Sequence, residues 1–516
     1  MRSPRLTTRW AVASGVVVAL ALVIAGCSAG TPGTPATPKT GGNLVVGITT
    51  DVLSLDPWKA TQFQDVYDVL PNIYGTLTEF DKKLAVVPGL AKSWDTSSDG
   101  LTVTFHLRTG VKFQSGADFS SADVVSSLQK IKDPTTAAVG AASLANVASV
   151  AAPDAKTVVL TLSSPDASLF AGLANINTSI LSKADTETSI AAEPDGTGPY
   201  GYSARTPGQS LTLKANKSYW RGTPGLGSVE FRVIPEQQSI VSAMQAGNIQ
   251  FAPIDDPVVA KTAQAGGLNI AKTPQLSYHA LQLNARHGDL TDLNVRLAIQ
   301  CAVDRKEVLD TAALGAGSIT GPITAPAYLS DPKDQPCPTA DLDKAKKYLA
   351  ASGKSNVTID TIVSQGEYST SVNEAQNLKS QLAKAGITLN LEILDNNTYV
   401  ARWVAGTFDA AVALNGGSPD PNTMYGRYFT STGNLNKVAG YATPELDKLF
   451  VEGRTTTDVA KRKDIYAQVS KDLTDNAAWV WLFTSYNYTA TTKAVAGFTP
   501  MANGSLQFLR DTTVTK

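Results

Sequence analysis

The sequence predicts an α/β protein of several lobes, and three observations carry that prediction. The third quarter of the chain reads as helix, strand, helix, strand. The first half holds repeated segments of alternating apolar residues. The length, 516 residues, suggests roughly three domain-sized units once a targeting segment is set aside. The third quarter is the clearest. Ala345 to Ala351 forms a helical pattern stopped by Gly353, and Val357, Ile359 and Ile362 mark a strand. Ala375, Leu378, Leu382 and Ala385 lie on one face of a second helix stopped by Gly386, after which Ile387, Leu389, Leu391 and Ile393 alternate. Glycine belongs just past a helix end, where a left-handed residue closes it. Strand, helix and strand at this spacing make a βαβ unit with a parallel pair.

At the N-terminus, Arg2, Arg5 and Arg9 precede an apolar run from Ala11 to Ala25, broken only by Ser14 and Gly15. It is shorter than the about 20 apolar residues that a spanning helix needs. Residues 1–26 therefore read as a signal peptide. The run ends in Ile24-Ala25-Gly26-Cys27, which resembles the bacterial lipobox. Small residues expose the backbone to a peptidase, and a thiol takes the lipid. Cys27 is thus the expected lipidation site, an incidental cysteine behind an ordinary signal peptide being the alternative. Residues 27–42 are almost wholly Ser, Ala, Gly, Thr, Pro and Lys and read as a flexible tether. No later segment is long and apolar enough to cross a bilayer. The chain is expected to be exported and held on the outer face of the cytoplasmic membrane, in the cell envelope, through the lipid alone.

From Asn43 onward the pattern is that of a folded protein. Leu44, Val46 and Ile48 alternate, as do Leu101 to Leu107, then Val158, Leu160 and Leu162, then Leu211 and Leu213, and Val229, Phe231 and Val233. Phe119-Ser-Ser-Ala-Asp-Val124 carries a capping-box pattern in which the Asp123 carboxylate reaches back toward Ser120. Val295, Ala298, Ile299 and Ala302 form one helical stripe.

Beyond residue 26 there are 41 basic against 45 acidic groups, mixed along the chain. With no basic stripe, nucleic acid is not an expected partner. Besides Cys27, Cys301 and Cys337 are an even pair in an oxidising compartment, so a disulfide is expected. The competing reading leaves Cys301 free on its helix and Cys337 exposed in a proline-rich loop. No metal spacing is present, and neither a metal nor a cofactor is expected.

A run of longer motifs then appears in a fixed order. These are Ser54-Leu-Asp-Pro57, Asn72-Ile-Tyr-Gly-Thr-Leu77, Val87-Pro-Gly-Leu-Ala-Lys-Ser-Trp94, Asp99 to Arg108, Gly110-Val-Lys-Phe113 and Phe119 to Val125. Gly196-Thr-Gly-Pro-Tyr200, Ala215 to Trp220, Phe231-Arg-Val-Ile-Pro235, Asn294 to Ile299 and Ala302-Val-Asp-Arg305 follow. In this order the chain resembles the family 5 extracellular solute-binding proteins, receptors for oligopeptides, dipeptides or nickel that serve ABC importers. The resemblance covers Gly42 to about Leu509. It implies a type II periplasmic-binding-protein-like fold, with two lobes around a hinge and an extra domain. It places residues 43–76, 195–283 and 489–516 in lobe I, 77–194 in the extra domain packed on it, and 284–488 in lobe II. It implies a non-enzymatic monomer that captures a small molecule or peptide and passes it to ABC permease subunits. A receptor for a neutral solute such as an oligosaccharide is the alternative.

The implied ligand-binding residues are Thr61, Gln62, Phe63, Tyr278, His279, Trp403, Asn415, Gly416, Gly417, Ser418 and Asp420. Phe63 and Trp403 read equally well as core. In peptide-binding relatives, an aspartate a few positions before the Asp-Pro dipeptide anchors the ligand ammonium. With Asp420-Pro421 as that dipeptide, Gly417 or Ser418 stands where the acid belongs. A free amine is therefore not gripped there unless Asp420 takes over. His279 as a nickel ligand lacks a carboxylate or thiol cluster around it in sequence. His106 reads as a polar strand residue.

Two motifs point to other classes. Gly196 to Gly201 spells GxGxxG, but Pro199 removes a backbone donor and a strand follows, so a turn is expected. Ser127-Leu-Gln-Lys130 and Lys39-Thr-Gly41 match motifs of exported acyl-transfer enzymes. Their order is reversed, and Lys39-Thr-Gly41 lies in the tether. Ser127 is expected on a helix surface.

Overall fold

The computed structural model describes residues 41–62, 64–365 and 370–515. The signal peptide, Cys27, Lys39 and Phe63 lie outside them. Among the described residues, no helix is long and apolar enough to cross a membrane.

A 12-stranded mixed sheet organises the chain in two halves. The first half is built on Gly42–Ile48, which pairs in parallel with Leu226–Val233, followed outward by Ser210–Ala215 and Tyr200–Thr206. The second half holds the expected βαβ unit. Val357–Gln365 and Ile387–Asp395 run parallel in unbroken register, with the helix Ser371–Lys384 between them in sequence. Gly353 and Gly386 stop their helices at φ +71° and +84°. Ala410–Asn415 and Tyr278–Leu283 complete this half and are buried along nearly their whole length. A strand covered on both faces reads as a continuous apolar run rather than an alternation.

One strand joins the halves. Trp479–Thr491 pairs through Trp479 to Phe483 with Tyr278–Leu283, and through Tyr486 to Thr491 with Asn269–Pro274 and Phe251–Ile254. Two features of this pairing bear on the expected layout. Tyr278–Leu283, assigned to lobe I, pairs Tyr278 with Asn415 in the second half. The boundary at 488/489 falls inside a single strand. Sequence alternation shows that a strand exists but not which neighbour satisfies its backbone groups.

A four-stranded antiparallel sheet within residues 91–162 (Ala91–Thr96, Thr102–Leu107, Thr157–Leu162, Val147–Asp154) is covered by the helix Ser121–Lys132. Its core residues Phe105, Leu128 and Leu160 form one cluster with Leu44, Val46 and Phe231 of the first half-sheet. The capping residue Asp123 accepts from the Ser120 backbone at 2.9 Å. Ser127 is not on a surface as expected. It is 1 % exposed, and its hydroxyl donates to the Leu181 carbonyl and accepts from the Leu181 N–H. A segment remote in sequence covers that side of the helix. The GxGxxG stretch is a turn leading into the strand Tyr200–Thr206. A Cβ on Gly196 would lie 1.9 Å from the Ile73 carbonyl oxygen, so the glycines serve close backbone packing. His106 bonds Asp95 at 2.7 Å on the outer face of its strand.

Candidate functional site

The loop Asn415 to Asp420 leaves the buried strand Ala410–Asn415 and starts the helix Pro421–Phe429. Asp420 caps that helix, accepting from the Asn422 and Thr423 N–H groups, with Pro421 at its first position. Asp and Pro are the residues that a helix start favours there. A second oxygen of Asp420 lies 2.7 Å from Arg462 Nη1. Arg462 also donates to the Gly453 carbonyl at 2.7 Å and to the Tyr328 hydroxyl at 3.0 Å. Burial works against the Arg462 charge, but the facing Asp420 carboxylate and the Tyr466 and Tyr328 phenols outweigh it and raise its pKa. Asp420 is 2 % exposed. Its carboxylate is committed to a cap and an ion pair. Gly417 is closed to any side chain, since a Cβ there would lie 2.2–2.3 Å from Leu276 atoms. A Cβ on Gly416 would meet only the Met424 Cε, at 3.6 Å, and the Ser418 hydroxyl accepts from the Asp420 N–H at 3.2 Å.

The other nominated residues scatter. Tyr278 is fully buried, stacked on Tyr425 at 5.9 Å. Asn415 Oδ1 accepts from Gln282 at 2.8 Å, and the Trp403 indole donates to the same Gln282 side chain at 2.7 Å. These residues belong to the packing of the second half. His279 is stacked on Phe483 at 4.2 Å, 2.9 Å from Glu374 and 3.2 Å from the Ser485 hydroxyl. Among the described residues, no group of three His, Cys, Asp or Glu is placed to hold a metal. Thr61 is exposed, and Gln62 Oε1 is buried without a hydrogen-bond partner.

A cavity of about 280 Å³ brings Ser418 and Asp420 opposite side chains from the small-sheet region. Phe80, Ser143, Asn146, Asp166 and Asn175 line one side, and Asn422, Thr423 and Arg454 the other. The sides touch where the Ala167 N–H donates to the Arg454 carbonyl at 2.5 Å. Asp166 accepts from Asn146 Nδ2 at 2.8 Å and from the Ser168 N–H at 3.0 Å. Phe80 and Asn175 also line a neighbouring 80 Å³ cavity, shared with Tyr67 and Ser505. Next to Tyr67, Asp68 is buried with Oδ1 lacking a hydrogen bond. Burial, then Asp255 and Asp65, push its pKa well up. No local pattern in the sequence marks Asn146, Asp166, Asn175 or Arg454, because none sits in a motif that chemistry requires.

The family model for bacterial extracellular solute-binding proteins, family 5 (middle region) matches residues 85–436. A probable di/tripeptide-binding protein 5 of Pseudomonas aeruginosa is 29% identical over 475 residues, covering 86% of this chain and 90% of that one. The glutathione-binding protein GsiB of Escherichia coli is 26% identical over 491 residues, covering 90% and 93%. Among solved structures, HbpA2 from Haemophilus parasuis matches with a TM-score of 0.84 at 23% identity, over 92% of this chain and 100% of that one.

Proposed function

The chain belongs to the bacterial extracellular solute-binding proteins of family 5, receptors rather than enzymes, and on that footing we propose that it captures a short peptide outside the cytoplasmic membrane and delivers it to an ABC permease. The observation that carries this reading is the 280 Å³ cavity lined by polar side chains from two sides of the molecule. The names of the di/tripeptide- and glutathione-binding relatives support the ligand class. The two half-sheets act as lobes, and Trp479–Thr491, common to both, is the strand through which they move. Ligand touching both sides favours the closed arrangement by its differential affinity for it. The receptor works as a monomer.

The experiment is calorimetric titration of the purified protein with di- and tripeptides, glutathione, their N-acetylated forms and a panel of oligosaccharides. Binding of peptides is expected, with little loss on acetylation, because Gly417 has no room for an anchoring acid and Asp420 is paired with Arg462. Binding of oligosaccharides with none of peptides would return the ligand to the neutral class.

Cys27 carries the lipid that holds the receptor at the membrane, in this reading. Cys27→Ala is expected to move the protein from the membrane fraction to the soluble exported fraction. Unchanged membrane retention would refute the anchor.

A further inference from the structure

The chain enters the folded protein at one end of the first half-sheet. The Gly41 N–H donates to the Gly225 carbonyl at 2.9 Å, and Gly42 pairs with Leu226. Gly225 packs on Thr512, whose carbonyl oxygen would lie 2.7 Å from a Cβ at that glycine. Cations gather beside this end, on the segments just before Gly225 and Thr512 and on their neighbours. Two guanidiniums lie against the Trp220 ring, Arg108 at 4.5 Å and Arg221 at 4.2 Å from its centre. Arg221 also donates to the carbonyl of the exposed Pro88 at 3.1 Å. It shares one oxygen of Glu79 with Arg510, at 3.0 Å from each. Arg510 and Lys82 both face the Phe508 ring, at 4.9 and 5.6 Å. Lys83 and Lys217 are exposed on the adjoining turns. The acids on these segments are Glu79, nearly buried against its two arginines, Asp81, which accepts from the Lys83 and Ala85 N–H groups, and Asp511. The cations outnumber them. Burial, then the Arg221 charge, lower the Arg108 pKa.

Resting on the reading of Cys27 as the lipid anchor, we infer that this face is a membrane-contact surface whose partner is a bilayer carrying anionic phospholipid headgroups. From Cys27 to Gly41 the chain spans at most about 50 Å, so the anchor keeps the end at which it enters the fold within reach of those headgroups. Each Lys or Arg near an anionic surface strengthens binding about fivefold, and the attraction fades within a Debye length. Tryptophan is favoured at headgroup depth, where its ring is sheltered and its N–H stays wet. A single small anion would need donors converging on one point. Here the cations are spread over the turns around Lys82, Lys217 and Arg510, which suits a surface bearing many charges. Their net excess is too small to hold the protein at physiological salt without a lipid, so the contact orients an anchored receptor rather than recruiting a free one.

The test is co-sedimentation of the mature Cys27→Ala chain with vesicles at low ionic strength. One set is phosphatidylcholine alone, the other equal parts phosphatidylcholine and phosphatidylglycerol. Binding is expected to the anionic vesicles only, and it should fade as salt is raised. Adding Lys83→Gln, Lys217→Gln and Arg221→Gln together should weaken it about tenfold or more. Glu79 keeps Arg510 in that variant, so its melting temperature should hold. If it falls, Lys83→Glu with Lys217→Glu, which changes exposed side chains alone, reads the same loss. Lys346→Gln, Lys347→Gln and Lys384→Gln together, on exposed positions of the second half, should bind as the parent does. The inference is overturned if anionic vesicles bind no protein, if phosphatidylcholine binds as much, if the first variant binds as the parent does, or if the control variant loses as much as the first. Cell fractionation of wild type beside Cys27→Ala tests the anchor separately. Anchored wild type whose Cys27→Ala chain ignores anionic vesicles would keep the anchor and remove the surface.

Discussion

Asp420→Asn is expected to destabilise the protein by about 3–5 kcal/mol, because it leaves the Arg462 guanidinium buried without its counter-ion. Asparagine caps a helix about as well as aspartate, so the loss isolates the ion pair from the cap. Arg462→Met should cost a similar amount by stranding the carboxylate. The double variant should recover much of the loss, since an apolar side chain of similar volume often replaces a buried pair without net cost. Chemical denaturation of the four proteins measures this. Single variants that each lose less than about 1 kcal/mol would show that the pair is solvated in solution. The result also decides how a binding defect is read. Asp420 and Ser418 line the cavity together, and the Asp420 N–H bonds the Ser418 hydroxyl. Loss of ligand in Asp420→Asn that tracks the loss of stability reports a displaced loop, not a broken ligand contact.

Removing the Cys301–Cys337 disulfide is expected to cost about 3–4 kcal/mol through the added freedom of the unfolded chain. The structure joins these residues across 36 positions with Cα atoms 5.0 Å apart, and both are buried in the core of the second half. Neither is the exposed thiol that the competing reading required. Other bonds hold the same loop. Arg305 donates to the Cys337 carbonyl at 2.9 Å, and the Asp341 N–H donates to the Cys301 carbonyl at 2.8 Å. A Cys301→Ala/Cys337→Ala variant should therefore keep the native fold while unfolding at lower denaturant. Wild type in strong reductant should approach it. Two alkylatable thiols in unreduced protein, or a double variant as stable as wild type, would contradict the prediction.

Much of the fold was legible before any coordinates. The alternating residues from Leu44 to Ile48 and from Val357 onward became strands, and Gly353 and Gly386 closed the helices they follow. The site was far less legible. The family pattern drew attention to the 415–420 loop, and two of its residues, Ser418 and Asp420, do line the cavity. Tyr278, His279 and Trp403 were drawn instead into packing and hydrogen bonds within the second half. Ser127 failed for the same kind of reason. Its helix start was readable, but the covering segment near Leu181 lies 54 residues away.

The division follows the range of the interactions involved. Periodicity, capping and glycine stops act within a few residues, so linear order alone specified an α/β chain with a parallel pair and the motif order of its family. Burial and partnership are settled between distant segments. Gly417 is denied a side chain by Leu276, and one continuous strand is divided between two half-sheets. Asp420 is neutralised by Arg462. Arg454 comes to line one cavity with Asn146 and Asp166, from segments remote in sequence. Whether a charge is available to a ligand depends on which other charges reach it, and only the folded chain decides that.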